Sequence, residues 1–146
     1  MGQTDVVREP ADLAAAALDA VSAHVAVVDC HGTVVLCNEA WNRFARANGA
    51  ADVDWVGWNY LGVCSIAEAS GDTQAGVVGR ALDELLRGAS ERRVFDYPCH
   101  SPTTQRWFLL RMTAIGVGDE RCAVIEHEDV TPRRLAERWR RRRLDD

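Results

Sequence analysis

Apolar positions change their period several times along this chain, and each change marks an element. The alanine-rich run ADLAAAALDAV (11–21) puts Leu13, Ala17, Leu18 and Val21 at helical spacing behind Pro10, which predicts a short amphipathic helix seeking a partner surface. AHVAVVD and TVVLCN then read as strands around a tight turn at Cys30-His31-Gly32, a β-hairpin over residues 23–38. Asn38 stands as an N-cap before EAWNRFARANG, where Trp41, Phe44 and Ala45 recur helically and Gly49 marks the stop. Residues 50–71 read as loops with one or two helical turns around Trp58–Ala69. TQAGVVGRALDELLRG carries Val77, Val78, Ala81, Leu82 and Leu85 on one helical stripe and ends at Gly88. Three strand candidates follow, RRVFDYPCH, QRWFLLRMTAIG and RCAVIEHEDV, with connections of hairpin length at 101–104 and 116–120. An arginine-rich helix closes the chain. Strands segregated from helices predict an α+β domain with an antiparallel sheet, not a doubly wound nucleotide fold.

Composition narrows the class. At 146 residues one domain is expected, large enough to bury a core without disulfide or metal staples. No apolar run reaches membrane-spanning length, and the N-terminus lacks a basic, apolar signal profile, so a soluble cytoplasmic domain is expected. Five cysteines (30, 37, 64, 99, 122) without a C-x-x-C pair read as reduced thiols, mostly small apolar fillers. All 17 basic residues are arginine, and seven lie within 133–143. The net charge of −5 therefore averages a body of −9 with a tail of +4. The acidic body argues against nucleic-acid binding, because it repels phosphates within a Debye length.

Several words in this order resemble a PAS domain. They are VAVVDCHGTVVLCNEAWNRF, with Asp29-x-x-Gly32 at the turn and Asn38-x-Ala40 opening the helix; VGWNYLGVC (56–64); and HEDVTPRR (127–134), with an Asp129-Val130-Thr131 ending. YPCHSP (97–102) with RWF (106–108) is similar to one bacterial subgroup found in sensor kinases. The resemblance covers roughly residues 11–135. It implies a five-stranded antiparallel sheet in the order 2-1-5-4-3 with helices on one face, an N-terminal helix and a C-terminal signalling helix. It further implies a bacterial signal-transduction sensor, of the kind used in two-component systems, that binds a small ligand between sheet and helices and forms homodimers. Its effector, a histidine kinase, cyclase or transcription regulator, would act in cis or in trans. The expected division is a flexible leader at 1–10, the domain with its flanking helix at 11–131, and an arginine-rich linker helix at 132–146.

Candidate chemistry is sparse. Four histidines (24, 31, 100, 127) and 22 carboxylates form no recognised catalytic word, and Gly76-x-x-Gly79 lies inside a helix pattern, where it makes no phosphate loop. The protein is read as non-enzymatic, with a small α+β enzyme using the same pocket as the alternative. Haem-binding members of the resembled family use a histidine on the long helix, and helix 72–88 has none; Cys64, His100 or His127 would need another geometry. Tyr60 stands where light-sensing members carry their reactive cysteine, so covalent flavin photochemistry is excluded and the cofactor stays unknown. No metal site is expected. The aromatic residues read either as core or as the wall of a ligand pocket. In the second reading Trp58, Asn59, Tyr60, Cys64, Tyr97, Arg106 and Trp107 recognise the ligand. Arg106 would neutralise a ligand carboxylate or pair with Asp96 across the hairpin. Thr131 before Pro132 reads as an N-cap, and with Asp129 ties the last strand to the output helix. Leu135, Trp139 and Leu144 give that helix a thin apolar stripe, suited to a coiled-coil start or a linker.

Overall fold

Residues 10–47, 54–98 and 103–145 are described by the structure, a computed structural model. Their elements run α1 (Pro10–Asp19), β1 (His24–Val28), β2 (Val34–Cys37), α2 (Glu39–Ala47), α3 (Tyr60–Ala69), α4 (Thr73–Leu86), β3 (Arg92–Pro98), β4 (Trp107–Val117), β5 (Glu120–Asp129) and α5 (Thr131–Asp145). The strands form one antiparallel sheet in the order β2-β1-β5-β4-β3, as the resemblance implied. Period-two alternation turns Phe108, Leu110 and Met112 of β4, with Ala123, Ile125 and His127 of β5, toward the helices. There Leu110, Met112, Ala123 and Ile125 meet Val78, Ala81, Leu82 and Leu85 of α4. Leu82, Leu85, Met112 and Ile125 are fully buried, each contributing about 1.5–3 kcal/mol by removal from water. Helix α4 begins where the Asp72 carboxylate accepts the Ala75 N–H at 3.0 Å.

The β1–β2 turn is held by one carboxylate. Asp29 Oδ1 accepts from the backbone N–H of His31 and of Thr33 at 2.9 and 3.0 Å. Gly32 sits at φ +86°, and a Cβ there would stand 2.8 Å from Leu61 Cγ and Cδ1. Gly32→Ala is therefore expected to cost about 1–2 kcal/mol, read as a lower midpoint in urea unfolding with an unchanged slope.

Three expectations change. The stripe of α1 is not covered: no residue of the helix is buried and Leu13 is 64% exposed. Polar groups anchor it instead, Asn38 Nδ2 donating to the carbonyl of Leu18 at 2.9 Å and Asp19 accepting from the Glu39 N–H at 2.9 Å. Asp96 does not pair with Arg106. It binds Arg134 of α5 at 2.7 Å, because Leu109 stands opposite Asp96 on β4 and α5 starts over this outer face of the sheet. Thr131 does not cap α5 with its hydroxyl, which accepts the Trp107 N–H at 2.9 Å, while Asp129 Oδ1 accepts the Thr131 N–H at 2.9 Å. The readings placed on Gly49, Cys99 and His100 lie outside the described residues.

Candidate functional site

Between the helix-facing side of the sheet and helices α2, α3 and α4 lies a cavity of about 580 Å³. Its walls are mostly aromatic: Trp41 and Phe44 from α2, Trp55, Tyr60 at the start of α3, Tyr97 from β3 and Phe108 from β4. Such a volume and such walls are typical of small-molecule sites. Of the residues expected from sequence, Tyr60, Cys64 and Tyr97 line this cavity. The other four are placed elsewhere.

Trp58 is 49% exposed and leans on Trp55 at 5.9 Å. Asn59 is the N-cap of α3, accepting from Gly62 N–H and donating to the His31 carbonyl, both at 2.9 Å. Trp107 faces the outer side of the sheet, beneath the guanidinium groups of Arg134 and Arg138 at 5.7 and 5.2 Å. Arg106 lies over the Phe108 ring at 5.7 Å and is not among the lining residues.

The chief residue that the sequence reading left out of the site is His127. It is 7% exposed, stacked against Phe108 at 4.6 Å and 11°, and flanked by Phe44 at 4.8 Å. Its Nε2 meets the Tyr97 hydroxyl at 2.5 Å and its Nδ1 meets His24 Nδ1 at 3.3 Å. One ring nitrogen donates and the other accepts in a neutral imidazole, so this Tyr97–His127–His24 chain is satisfied without any charge. Burial, with His24 beside it, pushes the His127 pKa down to about 4 against the opposing pull of Asp129. Burial lowers His24 as well. Burial, with a smaller contribution from Asp72, pushes the Cys64 thiol up to about 11. The Tyr60 hydroxyl is also held protonated, first by burial and then by Cys64 and Tyr97. His24, Tyr60, Cys64 and His127 are thus neutral near pH 7.

Among the described residues, no group of three or more His, Cys, Asp or Glu side chains is arranged to hold a metal ion. Helix α4 carries no histidine, and both ring nitrogens of His127 are bonded within the protein, which does not suit axial ligation of haem iron. None of the helices among the described residues is long and apolar enough to cross a membrane.

Solved structures of PAS domains share this architecture. The PAS domain of Bordetella pertussis BvgS superposes with a TM-score of 0.57 at 19% identity, over 94% of this chain and 98% of that one. The PAS domain of an HTR-like protein from Haloarcula marismortui gives 0.51 at 17% identity, covering 84% and 99%. A PAS domain from a two-component sensor histidine kinase gives 0.51 at 12% identity, covering 87% and 99%. The fold is the PAS fold. No family model matches the chain. A curated protein of Rhodobacter capsulatus, described as an uncharacterized 104.1 kDa protein in the hypE 3' region, is 37% identical over 121 residues. That match takes in 80% of this chain and 12% of the relative, so the chain spans a small part of that protein's length.

Proposed function

We propose that this PAS-fold chain is a sensory module that holds a small ligand between sheet and helices and relays its presence through α5. The observation that carries the reading is the alternation on β3. Tyr97 lines the cavity, and the preceding residue Asp96, on the opposite face of the strand, grips Arg134 of α5. A ligand that moves Tyr97 therefore moves the strand that holds the output helix. The Thr131–Trp107 bond ties the same helix to β4. The Asp96–Arg134 pair is half-exposed on both sides and contributes about 0.2–1 kcal/mol, a contact weak enough for a ligand to shift. Asp96→Asn is expected to speed backbone hydrogen exchange in residues 131–138 by up to about fivefold, with little change in overall stability. Unchanged exchange there would remove Asp96 from the relay.

The chemistry supports a binding role over a catalytic one. Cys64 is pushed away from the thiolate form and His127 away from the imidazolium form, and both nitrogens of His127 are engaged. We place the module in the bacterial cytoplasm, with residues 11–131 as the sensor and 132–146 as the linker to an effector in cis or in trans. The much greater length of the Rhodobacter relative supports an arrangement in cis. The linker stripe supports pairing of two copies: Leu135, Trp139 and Leu144 are 47%, 58% and 85% exposed. Changing Leu135 and Trp139 together to Glu is expected to lower the dimer fraction in size-exclusion chromatography with light scattering. An unchanged dimer would assign association to another surface.

A further inference from the structure

Three neighbouring side chains that line the cavity, Trp41, Trp55 and Tyr60, carry hydrogen-bond donors. The indole N–H groups of Trp41 and Trp55 are buried and have no hydrogen-bond partner. The two rings meet edge to face at 6.0 Å and 83°, and Tyr60, whose hydroxyl burial keeps protonated, lies 6.0 Å from Trp41. An indole N–H can only donate, and a donor hidden from both water and protein acceptors costs free energy until an acceptor arrives. The rest of the wall adds two constraints. Among the described residues, the lining includes no arginine and a single carboxylate, Asp72, which is occupied in capping α4. An anion entering would shed its hydration with no counter-charge from these residues to meet it. Phe44, Tyr97 and Phe108 add aromatic surface to the lining, which suits an aromatic partner.

We propose that the cavity takes a neutral, flat aromatic ligand whose hydrogen-bond acceptors meet the donor cluster of Trp41, Trp55 and Tyr60. The proposal rests on the ligand-binding reading above and names the class of ligand. Charge selects against carboxylates and phosphates. The donor cluster selects against plain hydrocarbons.

The test uses the full chain labelled with ¹⁵N and three probes of similar shape: coumarin, which is neutral and carries only acceptors; naphthalene, which carries none; and coumarin-3-carboxylate, an anion. The indole N–H resonances of all five tryptophans are followed during each titration. Coumarin is expected to move those of Trp41 and Trp55 while leaving Trp139 in place. Naphthalene and the carboxylate are expected to bind about tenfold more weakly or less. Trp55→Phe, which keeps a ring and removes the donor, is expected to weaken coumarin about fivefold and leave naphthalene unchanged. If naphthalene or the carboxylate moves the same resonances at the same concentration as coumarin, the ligand class is wrong and the cavity remains a binding site. If none of the probes shifts a cavity resonance up to its solubility limit, the class and the binding reading fall together.

Discussion

Asn38→Ala is expected to lower the unfolding free energy by about 3–5 kcal/mol, among the largest effects of any single polar substitution in this protein. Asn38 is completely buried, and its side chain bonds five backbone groups. Oδ1 accepts from the N–H of Val25 in β1 at 3.0 Å and from the N–H of Trp41 in α2 at 2.9 Å. Nδ2 donates to the carbonyls of Leu18 and Ala23, each at 2.9 Å, with that of Val21 at 3.4 Å. One side chain thus joins α1, the first strand and the helix that carries Trp41 and Phe44 into the cavity. Truncation leaves buried donors and acceptors without partners, each costing about 1–3 kcal/mol before relaxation. Asn38→Asp keeps the acceptor and loses the donor, so it is expected to fall between Ala and the wild type. Thermal unfolding distinguishes the three. A shift of about 10 °C or more is expected for Ala at this chain length. A shift of about 1 °C would mean that water replaces the lost bonds without loss.

Acid is expected to destabilise the domain through His127 well above the pH at which carboxylates titrate. Its folded pKa of about 4 lies below the ordinary value of 6.5, so the unfolded chain binds the proton first. The stability that depends on neutral His127 is therefore complete above about pH 6.5 and is lost progressively as the pH falls toward 4. Between pH 7 and pH 5 the loss from this one group is about 2 kcal/mol. His24, whose pKa is also lowered, adds to it in the same direction. His127→Phe keeps the stack with Phe108 and Phe44 and removes the titration, so it is expected to be less stable than wild type at pH 7 and to lose much less between pH 7 and 5. Urea unfolding at both pH values for both proteins measures this difference of differences. Parallel losses would show that His127 is solvated or charged in the folded protein.

The order of elements was legible because its signals are local. Alternating valines, the Asp29–Gly32 turn, the Asn38 cap and the long stripe of α4 each act within a few residues. The site was legible only where it follows from that order. Tyr60 and Cys64 share the cavity face of α3, and Tyr97 points inward from β3. Trp58 and Trp107 misled because an aromatic next to a site residue need not share its face. Trp58 precedes a helix cap, and Trp107 alternates outward from Phe108. His127 carried a usable signal, since it continues the inward register of Ala123 and Ile125 on β5. The Asp96–Arg134 pair carried none: 38 residues separate its partners, and only the path of α5 over the sheet brings them together.

Occupancy of the cavity is expected to be felt at the start of α5. The decisive measurement is a screen of neutral aromatic fragments against the ¹⁵N-labelled chain by heteronuclear NMR. Fragments that move the backbone resonances of Cys64, Tyr97 and His127 are expected to move those of Thr131 and Arg134 as well, with amplitudes that rise together across the library. Shifts that cluster away from the cavity, or cavity shifts that leave the first turn of α5 unmoved, would contradict it.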